Sequence, residues 1–363
     1  MRYLFLVFLI SPLGWGQTTP IFDFSKSLRI DFQLLSDAKG MEVIFQQLKE
    51  EPYWGGSETN LIFPPLGNLR LQLFDGAELV FSKGFNSLAD EWSAIEAAKA
   101  EKRLFYHAIQ IPFPKKALKV QIDRRNREGE FQLLSSREVS PDDYFIKKEI
   151  APSYPVKTLL HNGSAAEKVD LAILAEGYTK DEMEKFYKDA QRMTDYMFTI
   201  PPYDQLYVLV NTPIYGGGGF YNHLNLGTAD HELSEKVYIH EFGHGFVGLT
   251  DEYYYDWDPT FQSVYNTAIE PWEENITTLV NFDCKWKDMV QKKTPIPTPR
   301  TAKYEKVVGA FEGGGYVSKG VYSPMQDCRM KSNEPKGFCP VCERAIRRTV
   351  NFLKSESASK KGK

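Results

Sequence analysis

Residues 234–255 read SEKVYIHEFGHGFVGLTDEYYY. The apolar positions of the first part recur at helical spacing, and on such a helix His240 and His244 lie one turn apart on one face. Two neutral imidazoles so placed can grip one zinc ion. Glu241, beside them, can take a proton from water made acidic by the metal and pass it to a leaving amine. The bland alternative is a surface helix with two ordinary histidines; the helical context and the acidic turn that follows weigh against it. Gly243, Gly245 and Gly248 weaken the helix, and Gly248 is a natural stop that turns the chain back toward the metal. Asp251 follows that turn and is the expected third ligand, which leaves the fourth position open for water. Glu252 is its rival, better suited to hydrogen-bonding a ligand histidine or fixing the turn. Tyr253 to Tyr255 are expected to line or underpin the cleft.

Upstream, KVDLAILAEGY suits a buried strand closing at Gly177. A helix should follow, with Thr179 as cap and Glu182 three residues on. LYVLVN is a second strand, with an edge that could align an extended peptide. YGGGGFYN after it lacks the Lys-Ser/Thr of a phosphate loop. Strand–helix–strand–helix order over residues 157–355 argues for an α/β domain. Residues 17–150 read differently. LRIDFQLL alternates, NLRLQLFDGAELVFSKGF is a hairpin around Asp75-Gly76, and ALKVQIDRRNREGEFQLL repeats that plan. One helical insert, ADEWSAIEAAKAEKRLF, interrupts an otherwise all-β sandwich. That unit would support its neighbour or bind a glycan or protein surface, with Trp54 available if exposed.

The first residues, MRYLFLVFLISPLGWG, have a positive start, a short apolar run and small residues at the cleavage positions. Residues 1–16 therefore read as a signal peptide, and the mature protein as exported: periplasmic, on the cell surface or secreted. No later run is long and apolar enough for a membrane span. A net charge of -4 gives no strong attraction to nucleic acid or anionic membranes. The four cysteines, Cys284, Cys328, Cys339 and Cys342, favour disulfides in an exported chain, with a four-thiolate zinc site as the rival.

HEFGHGFVGLTDEY resembles the IgA-peptidase family of zinc endopeptidases, relatives of the metzincins. AEGYTKDEMEKF, LVNTPIYGGGGFYN and GAFEGGGYVSKGVYSPMQDCRMKS also resemble segments of that family, and KGFNSLADEW and IPFPKKALKV resemble its N-terminal domain. The resemblance covers most of the chain. It implies an α+β multidomain protein, an N-terminal β-sandwich followed by a metzincin-like α/β zinc peptidase domain, acting on an extracellular protein. It makes Met330 the candidate for a methionine turn beneath the metal; Tyr322, a little before it, is a candidate hydroxyl donor to an oxyanion. One departure stands out: IPPYDQLYVLVN joins the GYT helix to the next strand almost directly, around Pro202 to Leu206, where the family has a longer stretch. Two other readings remain in view, a binding module with an inactive peptidase domain and a zinc amidase of cell-wall peptides.

Overall fold

The computed structural model describes residues 20–148, 154–161, 163, 170–197, 205–257 and 263–353. The expected signal peptide, and the short join around Pro202, lie outside these residues. The N-terminal region builds two antiparallel sheets. One has the order β2-β1-β5, from β1 (Phe22–Asp37), β2 (Gly40–Glu51) and β5 (Arg103–Pro114). The other has the order β4-β3-β6-β7, from β3 (Leu69–Asp75), β4 (Glu78–Phe85), β6 (Leu118–Arg125) and β7 (Phe131–Val139). Alternation explains the pairing: Leu28, Ile30, Phe32 and Leu34 of β1 point the same way as one another, as do Leu69, Leu71 and Leu73 of β3, and both sets enter one core. The hairpin expected at Asp75-Gly76 forms with Gly76 at φ 60°, a left-handed position that a residue without Cβ adopts freely.

The helical insert is shorter than expected. Ser87 caps α1 (Leu88–Ala94) by accepting from the Ala89 amide. The chain then leaves the helix at Ile95, whose backbone is extended, makes one tight turn over Glu96–Lys99, and enters β5. Pairing of Arg103 to Phe105 with β1 wins over helix propensity there.

The C-terminal region is a sheet of order β10-β11-β9-β8, flanked by helices. β8 (Leu171–Glu176), β9 (Gln205–Val210) and β11 (Leu224–Thr228) are parallel, and β10 (Gly217–Phe220) runs antiparallel to β11. Thr179 and Glu182 make the expected capping box before α2 (Met183–Met197). Two strand expectations are corrected. β8 is an edge strand with half-buried and exposed positions, not a buried one. LYVLVN, as β9, is interior, and the edges of the sheet are β8 and the glycine-rich β10. Helix α3 (Ser234–Phe242) packs on the sheet, where Tyr238 stacks on Tyr207 at 3.9 Å between ring centroids and its carbonyl accepts from the Tyr207 hydroxyl at 2.7 Å. A hairpin of β12 (Phe311–Gly314) and β13 (Val317–Ser323), and α4 (Pro340–Leu353), complete the elements.

The two regions meet at the tip of the β10–β11 hairpin. The Asn222 amide donates to the Gly84 carbonyl at 2.8 Å, and the Asn86 N–H donates to the Tyr221 carbonyl at 2.9 Å. His107 and His223 face each other with ring centroids 4.4 Å apart, and the Trp272 indole donates to Asn68 at 3.0 Å. Among the described residues no helix is long and apolar enough to cross a membrane.

Candidate metal centre

α3 continues past Phe242 through one wider turn, Gly243–Val247, so His244 remains on the face of His240. Gly248 then ends the helix in the left-handed conformation at φ 72°. The chain turns back, and Thr250 is pinned by Asn275, which accepts from the Thr250 N–H at 2.9 Å and donates to its carbonyl at 2.8 Å. Asp251 is thereby brought to the helix. Its Oδ1 lies 3.0 Å from His240 Nε2 and 3.3 Å from His244 Nε2, and the two Nε2 atoms are 3.1 Å apart.

The other ring nitrogens fix the proton positions. His240 Nδ1 meets the Arg329 carbonyl at 2.9 Å and His244 Nδ1 meets the Leu249 carbonyl at 2.7 Å. Carbonyls only accept, so both Nδ1 atoms carry the proton and both Nε2 lone pairs turn toward Asp251 Oδ1. That oxygen is buried and lacks a hydrogen-bond partner. Three acceptor atoms this close repel unless a cation lies among them. Ligand distances of about 2.0 Å in a tetrahedral site put ligand atoms about 3.3 Å apart, so the triangle fits zinc. Without a metal a proton can take that place: burial pulls His244 down, but Asp251 opposite carries it up to about 9. Burial opposes the charge of Asp251 too, yet the imidazoles hold its carboxyl well below the ordinary range.

Glu241 is buried beside the triangle, and burial pushes its carboxyl up against the pull of both histidines. Strand β10 crosses directly over this part of α3. A Cβ on Gly217 would come within 2.5 Å of Glu241 Oε1, and one on Gly219 would collide with the Glu241 carbonyl and His244. Met330 lies fully buried on the far side, where a Cβ on Gly243 would meet its sulfur at 2.5 Å. The three glycines thus let a strand and a methionine close on the helix from opposite sides.

The sequence-predicted residues divide. His240, Glu241, His244 and Asp251 come together, with Met330 beneath. Tyr322 does not join them; it sits on β13 opposite Glu312 and bridges to Thr277. The hydroxyls that reach the site are those of Tyr316, which donates to Asp251 Oδ2, and of Tyr253, which hydrogen-bonds Asp251 and Tyr316. Tyr253 packs edge-on against the Tyr316 ring at 5.3 Å. Glu252 touches neither histidine: it points away, to Asn275 and Cys342. Glu91 of α1 was also missed. Its carboxyl is raised by burial, pulled back by His244 and pushed up again by Asp90 and Asp251, so the N-terminal region places a carboxyl near the centre.

The cysteines do not follow the disulfide expectation, nor do all four converge. Cys284 is exposed, while Cys328, Cys339 and Cys342 are buried together as free thiols, because the Cys339–Cys342 segment opens α4 against the Cys328 turn.

Residues 21–135 match the family described as Peptidase M64 N-terminus. Residues 158–202, 191–304 and 300–350 match the family described as IgA Peptidase M64. The first two of these segments overlap where α2 passes to β9. No curated protein matches the chain. With its two regions matching the two parts of one family in order, the chain belongs to the IgA Peptidase M64 family of peptidases.

Proposed function

We propose that the chain is an exported, zinc-dependent endopeptidase that hydrolyses peptide bonds of extracellular proteins. The observation that carries this reading is the convergence of His240 Nε2, His244 Nε2 and the orphaned Asp251 Oδ1 beside the buried carboxylate of Glu241. His240, His244 and Asp251 would hold a zinc ion, which would supply Lewis acidity there. Glu241 acts as general base, taking the proton of the attacking water and delivering it to the departing amine. Burial, which pushes its carboxyl up, favours Glu241 holding the proton between the two steps. Tyr316 holds Asp251 Oδ2, which turns Oδ1 toward the histidines.

The edge strand β10 lies over Glu241, so a substrate strand added to it would pass the base in extended form. The C-terminal region is read as metzincin-like, with Met330 as its methionine turn, and the N-terminal sheets as a supporting β-sandwich. The competing reading, a binding protein with an inactive peptidase domain, draws on the short join between α2 and β9, where the family match overlaps itself. A retained, buried base argues against it.

The test is digestion of an unfolded protein substrate by the full chain, with product ends mapped by mass spectrometry. Cleavage should be lost with chelator, restored by zinc, and lost in Glu241→Gln. Cleavage by folded, zinc-loaded Glu241→Gln at the wild-type rate would overturn the assignment.

A further inference from the structure

The loop that carries Asp251 also carries Glu252, and the two side chains leave it in opposite directions. Glu252 is fully buried and meets Cys328, Cys339 and Cys342, all buried; one ligand atom from each of the four lies within 4.8 Å of the others. Cys328 Sγ and Cys342 Sγ are 3.8 Å apart, and Cys342 Sγ is 3.2 Å from Glu252 Oε1. A tetrahedral ion with metal–sulfur distances of about 2.3 Å sets its thiolates about 3.8 Å apart, so the observed edge is that of a zinc site.

Two further observations point to a ligand. Glu252 Oε2 is buried without a hydrogen-bond partner, although Asn275 serves Oε1 at 3.0 Å. Lys331 Nζ is likewise buried without a hydrogen-bond partner, over the Tyr254 ring at 5.3 Å, and its charge acts on both Glu252 and Cys328. An anionic cluster around a divalent ion is balanced by such a cation, whereas a set of neutral thiols has no use for it. The backbone is arranged for thiolates as well. The Cys339 N–H donates to Cys328 Sγ at 3.2 Å, and Cys339 and Cys342 bracket Pro340 at the N-terminus of α4, where the helix dipole favours negative charge. A disulfide is the rival. With Cys284 exposed elsewhere it would pair two of three thiols, strand the third, and leave the Glu252 carboxyl buried with no counter-ion but Lys331.

We propose that Glu252, Cys328, Cys339 and Cys342 form a second, closed zinc site that is structural rather than catalytic. It ties together the supports of the first centre. Glu252 adjoins Asp251, and its N–H donates to the Met330 carbonyl at 2.7 Å. Cys328 adjoins Arg329, whose carbonyl orients His240. All four positions are filled by protein, so no site remains for water or substrate. Loss of the second ion should therefore weaken metal binding at the first by roughly 10–100-fold, as changes in supporting residues typically do.

The test uses the full chain, zinc-loaded under reducing conditions and then reconstituted with cobalt(II). Wild type should hold about two zinc ions per chain and show a thiolate-to-cobalt charge-transfer band in the near ultraviolet. His240→Ala should lower the zinc content and keep the band, because imidazole and carboxylate ligands do not produce it. Cys328→Ser should lose the band. Because that variant could fail to fold, the wild-type spectrum stands as the independent readout. Folded wild type without the band, or an intact mass showing a disulfide among the three cysteines, would overturn the proposal. A band retained in a chain whose histidine centre binds no metal would uphold it while sinking the peptidase reading.

Discussion

In the proposed mechanism Glu241 and Tyr316 act on the same centre by different means, and substitution should separate them. Glu241→Gln keeps the size and burial of the side chain but not its basicity. Zinc content should stay near wild type, while turnover falls by about 10²–10⁴-fold, the usual contribution of a positioned general base. Tyr316→Phe removes the hydroxyl on Asp251 Oδ2 together with its hydrogen bond to Tyr253. Zinc affinity, read by chelator competition, should drop by roughly 10–100-fold, with the unfolding midpoint of the zinc-free chain little changed. A Tyr316→Phe chain that holds zinc as tightly as wild type would show that the hydroxyl does not position Asp251. At this scale the histidines and Glu241 could be read from the sequence, because helical periodicity places them without knowledge of the fold. Asp251 could be read because one turn returns it to the helix. Tyr316 is 65 residues away and the Arg329 carbonyl 89, and no local pattern brings either to the centre. Nor does spacing say that Asp251 and Glu252, adjacent in the chain, serve two different clusters.

Strand β10 is the element on which the centre depends most closely. Gly217→Val would push a branched side chain into Glu241 Oε1, which lies 2.5 Å from the position of a Cβ. Because β10 is an edge strand, the sheet can give way while the base is displaced, so turnover should fall at least tenfold with zinc content retained. Equal turnover in this variant would mean that the strand does not fix the carboxylate. The N-terminal strands behave otherwise: Leu71→Ala, at a fully buried β3 position, should cost about 2–5 kcal/mol in urea unfolding without altering zinc affinity. The hairpins and the capped helix α2 were readable because turn residues and period-2 or period-3.6 patterns are local. Strand order was not. An apolar run such as LAILAE fits an edge or a centre equally, and only the fold shows β8 outside and β9 within.

At the scale of the whole molecule, the junction between the two regions carries a titratable pair. Burial first, then His223 opposite, lowers His107 from 6.5 to about 3. An unfolded chain takes up this proton below about pH 6.5, while folded His107 refuses it until about pH 3. Stability is therefore complete above 6.5 and falls as pH drops through that window, at most by about 1.4 kcal/mol per pH unit from this group. His107→Gln should flatten that slope between pH 6.5 and 4.5, seen as urea midpoints that change less than those of wild type. An unchanged slope would place the acid sensitivity elsewhere. The junction was invisible in the sequence because its contacts join residues far apart in the chain, such as Asn222 to Gly84. The division into a β region and an α/β region was visible because the hydrophobic period changes between them.

The most direct test of the central claim is the zinc content of the folded full chain and of His240→Ala and Asp251→Ala, measured beside cleavage of an unfolded protein. The account predicts that each variant loses the histidine-bound zinc and the cleavage together. Cleavage that persists after either substitution, in chains shown to lack that zinc, would contradict it.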